Sequence, residues 1–301
     1  MQEVPSENKR FSVIVPFLNE EAWLPLCLQA LRTQTLKAED FELIFVDNGS
    51  TDASLEILAS YPEVLVLQEP IRDPYIARNR GIEAATSQYL VFLDADCLPD
   101  SDWLEQIAAV VASTETVVAL GYIAFPKPAS LFLQAHENYY DAKLRYLTEK
   151  KLTRCYFGHA GNMVVHSRIF RELGLFPAMP IVGDTEIIHR ILNHSPNTEL
   201  LYVAGARVTH AEVGSFRDCI QKIYETGTYS QSLIGVSDYI AVPFSDRIRI
   251  LGLCAKLHGY DWSRMAIAIL ALAAGAIAFQ VGRWKVSYKG QANAAVKTAL
   301  Q

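Results

Sequence analysis

The sequence predicts an α/β protein: a mostly parallel sheet flanked by helices, followed by a helical C-terminal extension. Three observations predict it. Short apolar, β-branched runs alternate with helical patterns through the first hundred residues. Those runs are predominantly apolar, and strands alternating with helices argue for a parallel sheet covered on both faces. Polar clusters stand directly after three of them, where open α/β sheets hold their ligands.

The elements follow in order. Residues 11–16 (FSVIVP) are a buried strand ended by proline, and leucines at 24, 26, 28 and 31 predict a helix over 21–35. Residues 41–46 (FELIFV) are a second strand, closed by Asp47-Asn48-Gly49-Ser50. Thr51 or Asp52 caps the helix that follows near ASLEILASY. Strands are expected at 63–68 and 89–93, with a helix over 75–86 between them. Later, 117–123 and 200–208 read as strands and 130–150 as a helix. Residues 215–260 carry basic and aromatic residues on a helical pattern, and 265–279 run without a charge.

The chain has 301 residues, half of them apolar and a fifth charged, which suits one large α/β domain with an extension or two small domains. A net charge of −6 argues against nucleic-acid binding through a basic surface. The five cysteines are scattered without a CxxC pair, so they read as reduced, buried thiols. The polar N-terminus MQEVPSENKR has no signal-peptide core, which places the protein on the cytoplasmic side as an expectation.

Asn19-Glu20, Asp47-Asn48 and Asp94-Ala95-Asp96 each follow a strand, so all three belong on one edge of the sheet. Asp94 and Asp96, delivered together by the strand LVFL, offer hard oxygen ligands to Mn²⁺ or Mg²⁺, which can bridge to a diphosphate.

Four segments carry a family resemblance: FSVIVPFLNEEAWLPLCLQAL, LIFVDNGSTDAS, ARNRGIEAATSQYLVFLDADCLPD and GDTEIIHRIL, in this order. Together, over about residues 10–215, they resemble glycosyltransferase family 2, which is inverting, nucleotide-sugar dependent and of the Rossmann-like GT-A fold. The resemblance implies a catalytic domain at 1–215 and a helical, membrane-facing or packing region at 216–301. It implies that Pro16, Asn19 and Glu20 embrace the nucleotide and that Asp47 bonds the base, usually uracil. Arg78 would sit near the nucleotide, with Arg72 as a rival. Asp94 would contact ribose or metal, Asp96 would ligate the metal, and His210 would complete that site, with an ordinary loop histidine as its alternative role. Asp184 falls on the catalytic base, although the family's usual Glu is replaced by Gly183. Glu186 is the alternative base, and a helix N-cap is the alternative role for Asp184. Gly161-Asn162 matches a segment on the acceptor side, and His159 just before it is either a structural histidine or a contact to the acceptor.

The implied reaction moves one sugar from a nucleotide-diphospho-sugar, UDP-sugar favoured, to a hydroxyl of a glycan, lipid-linked or small-molecule acceptor. A processive synthase and a non-catalytic nucleotide-sugar-binding protein are the alternatives. Gln280-Val281-Gly282-Arg283-Trp284 spells QxxRW, a motif of processive synthases, but about a hundred residues beyond Asp184 it reads as a coincidence. A nucleotidyltransferase is disfavoured because the loop PFLNEEAW is acidic and lacks glycine. Residues 265–282, flanked by Trp262, Arg264, Arg283, Trp284 and Lys285, leave three readings open: a membrane span, an interfacial helix and a helix packed on the protein.

Overall fold

The computed structural model describes residues 9–113, 118–179, 181–195, 198–233 and 238–299; the N-terminal segment 1–8 and Val117, the expected start of a strand, lie outside them. Strands β1 (Phe11–Phe17), β2 (Phe41–Asp47), β3 (Val64–Gln68) and β4 (Tyr89–Leu93) run parallel in the order β3-β2-β1-β4. The apolar runs of β1, β2 and β4 are near-continuous because both of their faces are covered, whereas the edge strand β3 leaves Leu65 exposed. Ile14, Ile44, Leu90 and Phe92 pack on one side with Tyr75 and Ala77 of α3 (Pro74–Ala84). Val13, Val15, Phe45 and Val91 pack on the other with Leu24, Cys27, Leu28 and Leu31 of α1 (Leu24–Arg32).

The sheet then becomes mixed, continuing β4-β7-β6-β8-β5 with β5 (Cys97–Pro99), β6 (Val118–Ala124), β7 (Asn162–His166) and β8 (Leu200–His210). Four of its seven pairings are parallel, and the antiparallel ones all involve β5 or β7. Neither strand is visible in the sequence. β5 is three residues long, and β7 (NMVVH) is short and polar at both ends. Asn162 of β7 is turned into the sheet: its Nδ2 donates to the carbonyls of Tyr122 and Ala206, and its Oδ1 accepts from Trp103 Nε1.

The helices are α2 (Ser54–Leu58), α4 (Trp103–Ser113), α5 (Leu131–Glu149), α6 (Arg168–Leu173), α7 (Gly183–His194), α8 (Phe216–Tyr229), α9 (Phe244–His258) and α10 (Trp262–Ala299). Asp52 meets the start of α2 as expected: its Oδ1 accepts from Ser54 N at 3.0 Å while its Oδ2 accepts from Glu21 N at 3.0 Å, and the residue at the N-cap position itself, Ala53, makes no side-chain bond. All five cysteines are free and buried.

α10 is not a separate appendage. It packs along α8 so closely that a Cβ on Gly227 would meet the Phe279 carbonyl oxygen at 2.2 Å, and one on Gly282 the Tyr224 carbonyl oxygen at 2.2 Å. Only glycine allows backbones to approach this far. Farther toward its start, Ala268 and Ala271 close against Ala135 of α5.

Candidate active site

The strand-end clusters converge as the alternation of strands and helices requires. One cavity of about 500 Å³ is lined by Pro16, Phe17, Leu18 and Glu20 after β1, Asn48 after β2, and Asp94, Ala95 and Asp96 after β4. The opposite wall comes from Tyr75 and Arg78 of α3, His159 before β7, Asp184 of α7, and His210 and Glu212 at the end of β8. Helix α8 adds Lys222, Glu225 and Thr226.

Not every expected residue reaches the cavity. Asn19 stands beside it, where its side-chain oxygen accepts from Thr51 N at 2.8 Å and its own N–H donates to Ser50 Oγ. It thus ties the loop after β1 to the loop after β2, with a left-handed backbone (φ 57°) that Asn tolerates. Asp47 is buried and closes its own turn by accepting from Ser50 N at 2.9 Å, and its neighbour Asn48 is the cavity residue. Arg72 donates to the Gly49 carbonyl at 3.2 Å, whereas Arg78 lines the wall, ion-paired to Asp94.

The acidic centre is built by sheet pairing. β5 and β8 run antiparallel with Cys97 opposite His210, and Ala211 N donates to the Asp96 carbonyl at 2.8 Å. This brings His210 Nδ1 to 3.2 Å from Asp96 Oδ2, although the pair is not angled to hydrogen-bond and Nδ1 is left without a partner. Burial pushes the Asp96 carboxyl up to about 8, helped by repulsion from Asp94 and Glu20. Burial also opposes ionisation of Asp94, but Arg78, His159 and His210 outweigh it and hold that carboxyl below the usual range. Burial and the nearby Lys222 push His210 down to about 3, so its imidazole is neutral. Glu20 rises to about 7 through burial and repulsion from Glu212 and Asp94.

A neutral imidazole with an orphaned nitrogen, facing carboxylates that repel one another, is a donor set that a divalent cation satisfies. Ligand atoms of Asp96, Cys97 and His210 all lie within 4.8 Å of one another. The Cys97 thiol is fully buried and its pKa is raised well above normal by burial, so it stays protonated. Hard cations prefer oxygen, which leaves Asp96 and His210 as the fitting pair, with Asp94 beside them.

Asp184 is the second residue of α7, not its cap; the N-cap position is Val182 and carries no side-chain bond. The carboxylate faces the cavity, with Oδ2 accepting from Ala160 N at 2.9 Å and Oδ1 from Thr185 N at 2.7 Å. Burial raises its pKa, which makes it a stronger base once ionised. Glu186 points elsewhere and is held by Arg190, with 3.0 Å between Arg190 Nε and Oε1. The glycine at 183 has a packing reason: a Cβ there would stand 2.9 Å from the Tyr75 ring.

Sequence reasoning missed Glu212 and Lys222. Their side chains pair at 2.8 Å across the mouth of the acidic centre. Lys222 lies on a surface-patterned helix where nothing in the sequence marks it. The QxxRW residues lie within α10, and none of them lines this cavity; Trp284 is 79% exposed.

Residues 12–174 match the family profile described as Glycosyl transferase family 2. Among curated proteins, Glycosyltransferase AglE of Haloferax volcanii is 28% identical over 177 residues, which is 57% of this chain and 57% of that protein. A PGL/p-HBAD biosynthesis glycosyltransferase of Mycobacterium tuberculosis is 39% identical over 111 residues, 35% of this chain and 43% of that protein. The chain thus spans about half the length of these relatives. Among solved structures, mannosyltransferase PcManGT from Pyrobaculum calidifontis in complex with GDP-Man and Mn²⁺ matches with a TM-score of 0.60 at 20% identity, over 97% of this chain and 82% of that chain. TarS 1-349 of S. aureus in complex with UDP-GlcNAc matches with 0.52 at 16%, over 92% and 83%. At these identities the likeness is one of fold, the GT-A arrangement of a curled mixed sheet between helices.

Proposed function

The chain belongs to glycosyltransferase family 2, and from that premise we propose that it transfers a single sugar, with inversion, from a nucleotide-diphospho-sugar to an acceptor hydroxyl. The observation that carries this reading is the meeting of Asp94 and Asp96, Asp184, and His210 on one cavity from three separate parts of the chain. The solved relatives are described with UDP-GlcNAc, or with GDP-Man and Mn²⁺, and a UDP-sugar is the favoured donor here.

Asp184 is the general base. It takes the acceptor's hydroxyl proton as that oxygen attacks the anomeric carbon and the bond to the diphosphate breaks. The Ala160 and Thr185 N–H groups hold its carboxylate in place, and the positive end of α7 favours its ionised form. Arg78 keeps Asp94 ionised beside the nucleotide. Lys222, paired with Glu212, stands at the mouth where a diphosphate's charge would lie. A Mn²⁺ or Mg²⁺ ion held by Asp96 and His210, with Asp94 adjacent, would offset the charge of the leaving diphosphate. Mn²⁺ is favoured because imidazole is a poor ligand for Mg²⁺.

Because α8 contributes to the cavity, we take 216–301 as part of the catalytic unit rather than an added tail. Trp262–Lys285 is long and apolar enough to cross a membrane. Its packing supports an interfacial position instead. A span would carry Arg217, Asp218 and Gln221 of the tightly joined α8 toward bilayer depth, at roughly 2–3 kcal/mol for each charge. Lying flat, α10 presents Trp262, Leu270, Ile277 and Trp284 outward, and α9 adds Phe244, Ile248 and the exposed Arg249 and Lys256. That combination suits the cytoplasmic face of a membrane bearing anionic lipid, and an envelope glycan or glycolipid product.

The test is release of nucleoside diphosphate from UDP- and GDP-sugars with Mn²⁺. Activity in the wild type that falls at least a hundredfold in both Asp96→Ala and Asp184→Asn supports the assignment. Unchanged turnover in both variants overturns it, and a folded chain that binds no nucleotide sugar in calorimetry favours the non-catalytic reading.

A further inference from the structure

A second cavity, of about 290 Å³, adjoins the first and shares Phe157, His159, His210, Lys222 and Thr226 with it. The rest of its wall is largely apolar and aromatic: Phe125, Val213, Ile223, Tyr239 and Phe279, the last from α10. Helix α5 forms one side and presents His136, Tyr140 and Lys143 there. Spacings of four and three residues put these on one helical face.

The two basic groups are unlike their surroundings. Lys143 Nζ lies 5.8 Å from the centre of the Tyr140 ring, and His136 stacks on Phe125 at 6.4 Å. Among the described residues neither makes a hydrogen bond or a salt bridge. The one acid on the same wall, Glu137, is already satisfied. Its Oε1 accepts from Tyr122 Oη at 2.8 Å, and its Oε2 from Phe125 N at 3.1 Å and Lys127 Nζ at 2.9 Å. Burial pushes Lys143 down to about 8, with Cys155 opposing and Arg247 adding to the shift, and burial with repulsion from Lys143 pushes His136 down to about 4. An ammonium in an aromatic cavity with no carboxylate to meet it is costly. An anion arriving with the ligand removes that cost.

We propose that this second cavity seats the acceptor, an amphiphile whose apolar or aromatic body lies against Phe125, Tyr140 and Phe279 and whose anionic group pairs with Lys143. The acceptor hydroxyl then reaches Asp184 past His159, which lines both cavities. This rests on the glycosyltransferase reading and narrows its acceptor to phosphate- or carboxylate-bearing molecules with an apolar carrier. Since Phe279 belongs to the helix whose outer side carries the exposed Trp262 and Trp284, such an acceptor can enter from an apolar phase.

The probes are octyl phosphate, octanol, inorganic phosphate and 3-phenylpropionate, titrated calorimetrically below micelle formation against the full chain. Octyl phosphate or 3-phenylpropionate is expected to bind at least tenfold tighter than octanol, with inorganic phosphate alone not binding. Lys143→Met should erase that tenfold difference while leaving octanol binding in place, and His136→Phe, which preserves the stack on Phe125, should reduce it. Whichever anion loses more in Lys143→Met identifies phosphate or carboxylate as the recognised group. Equal binding of octanol and both anions, or a difference that survives Lys143→Met, overturns the inference. Donor hydrolysis by the wild type separates the two levels: if it is present without anion discrimination, only the acceptor inference fails; if it is absent, the enzymatic reading fails first.

Discussion

Asp184 and Glu186 stand two residues apart in the first turn of α7, and their surroundings give them different work. Asp184 faces the cavity, accepting from the Ala160 and Thr185 N–H groups and the Thr185 hydroxyl and, among the described residues, ion-paired to no Arg or Lys, whereas Glu186 is consumed by Arg190. Asp184→Asn should therefore lower kcat by about 10²–10⁴-fold, the range of a lost general base. Its donor affinity should be nearly unchanged. Glu186→Gln should leave kcat within about threefold and cost about 1 kcal/mol of stability, read by urea unfolding, because it breaks a partly buried ion pair. Lys143 makes a prediction with a pH signature. Burial lowers its folded-state pKa from 10.5 to about 8. Below about 8 the amine is protonated both folded and unfolded, and the burial penalty is fully present. As pH rises from about 8 toward 10.5 the folded protein releases this proton first, so the penalty fades. Lys143→Met should thus stabilise the ligand-free protein at pH 7 by on the order of 1 kcal/mol, discounted because the amine still touches water in the cavity, and the gain should shrink toward pH 10. A gain independent of pH would assign the effect to packing instead. At this scale the acidic centre was legible, since a strand that ends in Asp-Ala-Asp declares its chemistry. The Lys222–Glu212 pair was not, because a lone charge on an amphipathic helix looks the same whether it faces solvent or a cleft.

Among elements, α10 gained most from being seen in three dimensions. Its alanine-rich composition is compatible with a span, a surface helix or a packed helix. What decides its place is the pair of glycines, Gly227 and Gly282, which bring it against the backbone of α8. Gly282→Leu would drive a side chain into the Tyr224 carbonyl and should cost about 1–3 kcal/mol, as overpacking does. Because α8 carries Lys222 and Glu225, the same change should raise the donor KM, which steady-state kinetics would show. If stability falls but KM does not, α8 is positioned independently of α10. The strands show the converse limit. β1 to β4 were readable because each is a continuous apolar run between helices. β5 was missed because it is three residues long, and β7 because its five residues hold an apolar run of only three between Asn162 and His166; their place comes from partners, with β5 paired to β8 and β7 set between β4 and β6.

For the molecule as a whole, the acidic cavity adjoins a more apolar one to which α10 contributes Phe279, while α10 also carries the exposed Trp262 and Trp284. In sedimentation with vesicles containing about a third anionic lipid, the protein should bind, and Trp262→Ser with Trp284→Ser should weaken binding at least tenfold, as should high salt. Resistance of the wild-type protein to extraction at alkaline pH would instead favour a span. The sequence by itself determined the parallel half of the sheet, the edge on which polar residues gather, and the acidic, metal-fitting character of that edge. Local pattern is enough for these, because periodicity and strand-end position are properties of neighbouring residues. Only the tertiary structure decided that Asp96 meets His210, that Asp184 rather than Glu186 faces the cavity, and that α8 and α10 belong to the same body. Each of these depends on contacts between residues far apart in the chain: the β5–β8 register, the Tyr75 ring that requires glycine at 183, and the glycine contact of α8 with α10. No local propensity encodes such contacts, since they arise only when the strands pair and the helices pack.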